Sequence, residues 1–207
     1  MALEIFFNKL IGIGTLVIHI ILGLALIIFI YAKINKKKLP DFVHDSNKFL
    51  SENGIALSFL IALGASIGSL VYSEIIGLSP CDLCWYQRAL IYPQVIILGV
   101  ALLKKNNEIF DYVLGLNIIG ILIGGYQYVM QMINFSGPCP VSGGIDCFTR
   151  DVIEFGYITI PLMSITVFVI IIVLTFMAKN KHLERFQKGT ELNSSKVSKN
   201  EKHVEFS

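Results

Sequence analysis

Ser79-Pro80-Cys81-Asp82-Leu83-Cys84-Trp85-Tyr86-Gln87-Arg88 stands at the mouth of an apolar run that continues from Trp85 to Leu103. A run of this length suits a bilayer, which takes roughly 20 mostly apolar residues per helix. Four further runs qualify: Leu10 to Ala32, Ile55 to Ile76, Tyr112 to Ile133 and Phe155 to Ala178. In lipid each segment must satisfy its own backbone hydrogen bonds, so all five are expected as helices. The alternating pattern of a membrane barrel strand is absent. Hydrophobic residues make up 54% of the 207 residues, which excludes an ordinary soluble domain. A net charge of +2 gives no footing for nucleic acid.

The expected fold class is an all-α integral membrane protein, a four-helix transmembrane bundle plus one extra N-terminal transmembrane helix. Residues 1–53 would hold that first helix and a basic cytoplasmic loop, 54–178 the bundle with two external cysteine loops, and 179–207 a mobile cytoplasmic tail. The first run is too long for a signal-peptide core, and Lys33 to Lys38 reads as a stop-transfer flank. Gly64-Ala65-Ser66-Ile67-Gly68 and Gly120-Ile121-Leu122-Ile123-Gly124 are small-xxx-small patterns, expected to bring helix backbones together. The first helix is expected outside the bundle. Its His19 is either functional or, more plainly, a neutral imidazole bonded to a neighbouring helix.

Basic residues orient the chain. Of 17 Lys and Arg, five fall in the loop from Lys33 to Asn53, two at Lys104-Lys105 and seven in the tail. Only Lys9, Arg88 and Arg150 fall elsewhere. By the positive-inside rule the N-terminus is outside and the C-terminus inside the cell membrane. Cys81, Cys84, Cys139 and Cys147 then all share the external, oxidising face, where disulfides persist.

At the first pair, Ser79 is expected as N-cap, with Pro80 at the first helical position and Asp82 three residues after the serine. The helix dipole would favour a thiolate at the pair, and a thiolate attacks disulfides or donates electrons. The spacing permits a Cys81–Cys84 disulfide, against the plainer reading of a small structural staple. Arg88 follows Cys84 by four residues, on the same helix face. It is either a snorkelling interfacial arginine or a fixed cation beside the Cys84 thiolate or a reduced acceptor. Trp85, Tyr86 and Tyr92 form an aromatic belt or wall a flat-ring site. Pro93 removes one backbone bond, to Ala89, just below.

The second pair lies in Gly137-Pro138-Cys139-Pro140-Val141-Ser142-Gly143-Gly144-Ile145-Asp146-Cys147, a turn-rich loop expected to be exposed. Asp146, Arg150, Asp151 and Glu154 read as a solvated rim. A zinc site is disfavoured by the spacings, the oxidising face and the lack of external histidine, so no metal is expected. Covalent haem needs histidine directly after Cys-x-x-Cys, where Trp85 stands.

Cys81 to Arg88, followed by Tyr92-Pro93, a basic hairpin and a second external pair, resembles the signature of the bacterial disulfide bond formation protein B (DsbB) family, especially its short-loop BdbC members. The resemblance covers about Ile55 to Ala178. It implies a four-helix bundle that reoxidises a DsbA-like thioredoxin-fold oxidase and passes two electrons to a quinone, ubiquinone or menaquinone. It also implies that Cys139 forms the mixed disulfide with that partner and that Cys147 is its disulfide mate. Cys81 and Cys84 become the quinone-proximal redox pair, with Cys84 touching the quinone and Arg88 beside it. Two other readings compete. One is an enzyme like vitamin K epoxide reductase, in which the loop cysteines precede the Cys-x-x-Cys. The other is a non-catalytic scaffold whose disulfides only hold loops. The tail lysines could touch anionic lipid.

Overall fold

A computed structural model of the chain describes residues 2–35, 41–104, 109–135, 147–150 and 152–204. Five α-helices carry the fold: α1 (Ala2–Asn35), α2 (Asp41–Leu70), α3 (Asp82–Lys104), α4 (Phe110–Met132) and α5 (Ile160–Val204). Each contains a segment long and apolar enough to cross a membrane. The all-helical membrane architecture expected from the apolar runs is therefore borne out.

Helices α2 to α5 pack as a closed ring, α2 against α3, α3 against α4, α4 against α5 and α5 back against α2. Ala62, Ile91, Leu98, Val113, Phe168 and Ile171 fill its centre. A polar ladder crosses the same interior. Asn117 Nδ2 donates to Gln94 Oε1 at 2.9 Å and Gln87 Nε2 to Gln127 Oε1 at 2.7 Å. Apolar contact alone gives helices little reason to associate in lipid, so such bonds and close packing hold the ring.

The two glycine motifs behave differently. A Cβ on Gly120 would lie 2.5 Å from the Phe168 ring, and one on Gly124 would lie 2.9 Å from Ile165. That pattern brings α4 onto α5, as expected. Among the described residues, nothing lies within 4 Å of a Cβ on Gly64 or Gly68 of α2. The expectation of helix contact there is corrected: nothing faces these glycines closely, and they open a cavity instead.

Several boundaries shift. α2 begins at Asp41, so much of the expected basic loop is helix. It ends in a π-helical turn, Val71–Ile75. α5 starts at Ile160 rather than Phe155, because a tight reversal precedes it. Glu154 and Ile158 exchange two backbone bonds of 2.9 Å, and Phe155 and Gly156 take φ of +52° and +78°. Downstream, α5 continues through the tail to Val204. The span has already nucleated the helix, and Lys, Glu and Gln extend it at little cost. Lys179 pairs with Asp111 of α4 at 3.0 Å, and Lys181 pairs with Glu52 of α2. These exposed pairs contribute at most about 1 kcal/mol each, and they mark the end of the bundle opposite the cysteines.

α1 stands beside the ring, largely exposed along its length. It still reaches the bundle at defined points. Phe7 packs edge-on against Tyr72, with centroids 5.4 Å apart. His19 meets Thr166 Oγ1 at 2.8 Å and Tyr157 Oη at 3.3 Å. The bonded-imidazole reading of His19 describes this geometry.

Candidate redox site

The cap of α3 lies two residues later than expected. The carbonyl of Cys81 accepts the first helical bond, from the Trp85 amide at 3.0 Å, and helix begins at Asp82. Cys81 is therefore the N-cap residue, in the place foreseen for Ser79, and Cys84 closes the first turn. Ser79 and Pro80 stay outside the helix.

Cys81 and Cys84 are free thiols with their sulfurs 2.9 Å apart. The hydrogen bond to Cys84, then burial, holds the Cys81 thiol well above the usual thiol range. Either sulfur can donate in the bond between them. A further donor lies above both. Gln127 Nε2 is 3.3 Å from the Cys81 sulfur, 3.6 Å from the Cys84 sulfur and 3.1 Å from the carbonyl of Cys147. Its Oε1 is held by Gln87, whose own Oε1 accepts from Ser164. The residue reading passed over Gln127. The available signal was a glutamine inside an apolar run, one turn beyond Gly124.

Cys147 is disulfide-bonded and 1% exposed, packed with Cys81, Leu83 and Phe148 in one cluster. That corrects the expectation of an exposed second pair for this half of it, because Leu83, Ile123 and Met130 cover the cluster. Cys139 lies outside the described residues. Arg150 is no mere rim charge. Its guanidinium donates to the carbonyls of Gln131 and Met132 and to Asn134 Oδ1, capping the C-terminus of α4.

Arg88 is 8% exposed. It donates to the Ser69 carbonyl at 3.0 Å and lies 5.3 Å over the Trp85 ring. Among the described residues no carboxylate lies within ion-pair distance of it. A buried cation without an anion is costly, so the site is built for negative charge or strong dipoles. Trp85 and Tyr86 are themselves exposed, as a belt would be, and neither they nor Tyr92 lines the cavity.

That cavity, of about 450 Å³, joins these parts. Cys81, Cys84, Gln87, Arg88 and Gln127 line its polar end, and Ile61, Gly64, Gly68 and Ile91 line one apolar wall. Ile11, Gly14, Thr15 and Ile18 of α1 also line it. Among the described residues no group of His, Cys, Asp and Glu could hold a metal.

Residues 51–178 match the family described as disulfide bond formation protein DsbB. The chain belongs to the DsbB family. Disulfide bond formation protein C of Bacillus subtilis is 41% identical over 128 residues, covering 61% of this chain and 93% of the relative. A probable disulfide formation protein C of Halalkalibacterium halodurans is 39% identical over 127 residues, covering 61% and 93%. A prophage-derived disulfide bond formation protein B of Bacillus subtilis is 41% identical over 133 residues, covering 63% and 90%. No solved structure gives a significant match. Membership in the DsbB family makes the chain a multi-pass membrane protein acting in thiol–disulfide oxidation. α1 and the tail helix fall outside the region matched to DsbB.

Proposed function

We propose that this protein reoxidises an extracytoplasmic DsbA-like thioredoxin-fold protein and passes the electrons to a membrane quinone. The observation that carries the reading is the pairing on one cavity of Cys84 with a buried Arg88 that has no carboxylate within ion-pair distance among the described residues. The cavity volume falls within the ordinary range for small-molecule sites, roughly 300–1,000 Å³. Its apolar walls and single cation suit a flat, apolar molecule with polar oxygens. When bound, a quinone supplies a sink for two electrons and two protons.

The chain's own residues divide the remaining work. Cys139 takes the partner's sulfur in a mixed disulfide, and burial of Cys147 supports its role as the inner mate. The Cys147 thiolate released in that step attacks Cys81 of the pair in its oxidised, Cys81–Cys84 disulfide form, and Cys84 leaves as thiolate. A second thiol of the partner displaces Cys139 from the mixed disulfide and leaves with the oxidised partner; Cys139 then attacks Cys147, restoring the Cys139–Cys147 disulfide and releasing Cys81 as a thiolate. Two electrons now rest on Cys81 and Cys84. Re-forming the Cys81–Cys84 bond releases them with two protons to the acceptor. Gln127 and Arg88 hold Cys84 and its charge at the cavity. In this orientation the cysteine end faces outward and the lysine-rich end faces the cytoplasm.

The test uses purified full-length protein with a reduced thioredoxin-fold partner. Partner oxidation should be matched one for one by quinone reduction. A folded protein that turns over with no ubiquinone or menaquinone overturns the reading.

A further inference from the structure

Tyr72 presents the cavity with a polar group that the protein leaves unanswered. It is 8% exposed and lines the same cavity as Cys84 and Arg88. Among the described residues its hydroxyl has no hydrogen-bond partner. A buried hydroxyl without a partner costs free energy, which phenylalanine would avoid at almost the same volume. Two features hold the ring in place. The π-helical turn Val71–Ile75 that ends α2 carries it. The Phe7 ring of α1 lies edge-on to it at 74°.

An unused O–H in a mostly apolar chamber calls for a ligand acceptor atom. The Arg88 cation in the same chamber calls for the same chemistry, an electron-rich oxygen. We propose that Tyr72 is an acceptor-binding residue, whose hydroxyl donates to a carbonyl oxygen of the quinone. This rests on the quinone reading above and names a contact from α2 that the cysteine motif on α3 does not contain. Phe7 belongs to α1, outside the matched family region, so this chain's extra helix helps set the angle of the donor.

Tyr72→Phe keeps the ring and its contact with Phe7 and removes only the O–H. Trp85 is the single tryptophan and stacks on Arg88, so its fluorescence can report binding of short-chain ubiquinone and menaquinone without turnover. The variant should bind the preferred quinone about five- to tenfold more weakly, as loss of one hydrogen bond implies. Quinone KM should rise in step, with partner KM unchanged and the melting temperature of the ligand-free protein unchanged or higher. Binding within twofold of the parent protein overturns the role of Tyr72 while leaving the quinone reading intact. If the parent protein itself binds neither quinone, both fall together.

Discussion

The hydrogen bond with Cys84 and burial in the surrounding cluster hold the Cys81 thiol above the usual range and shield it from reagents. The two thiols should therefore react in a fixed order. With the reduced protein at neutral pH, a small alkylating reagent should label Cys84 well before Cys81, read by peptide mass spectrometry. Labelling of Cys81 first would contradict the arrangement. Arg88→Ala should raise quinone KM by about tenfold or more, since a hydrogen bond to a charged group contributes roughly 1.5–3 kcal/mol. Partner KM should stay unchanged; equal rises in both, in steady-state assays, would make Arg88 merely structural. Both cysteine spacing and Arg88 were legible because they are local: a cap and one helical turn fix them. Gln127 was harder, since it meets the sulfurs of Cys81 and Cys84 from 46 and 43 residues away in the chain. Only the fold brings it there.

At the scale of elements, the five spans could be read because hydrophobic run length is a property of each segment alone. The two glycine motifs could not be told apart that way. What decides between them is the opposite surface. Phe168 lies on Gly120, and none of the described residues lies on Gly64 or Gly68. Gly120→Leu should destabilise by about 1–3 kcal/mol or more through overpacking, seen as a lower melting temperature in detergent. Gly68→Leu should leave the melting temperature unchanged or higher while abolishing quinone binding. A shared loss of stability would show that α2 packs closely after all. The start of α5 was also missed, although Gly156 and Pro161 mark the turn and the helix entry.

For the whole molecule, the ring of α2 to α5 separates two chemistries. Cysteine sulfur gathers at one end, with Cys81 and Cys147 in one cluster and Cys84 packed against it. Lysine–carboxylate pairs tie the other, through Lys179 and Lys181. Intact cells should therefore admit a membrane-impermeant thiol reagent to an engineered cysteine at Ser79 and exclude it from one at Lys104. The reverse pattern would invert the orientation drawn from the basic residues. The tail resisted sequence reading because a polar helix carries no apolar stripe, and only its continuity with α5 makes it regular.

Gly64 and Gly68 also bear on how this protein can be improved. Larger side chains there would bury apolar surface that the native chain leaves unburied, so they would count as gains in any screen that rewards heat resistance. Natural proteins commonly hold such unclaimed stability near their working sites. A laboratory lineage selected only for survival at high temperature would drift toward filling the chamber and would end as a sturdy, inert bundle. Selection must score electron delivery alongside endurance, or it will erase the function first.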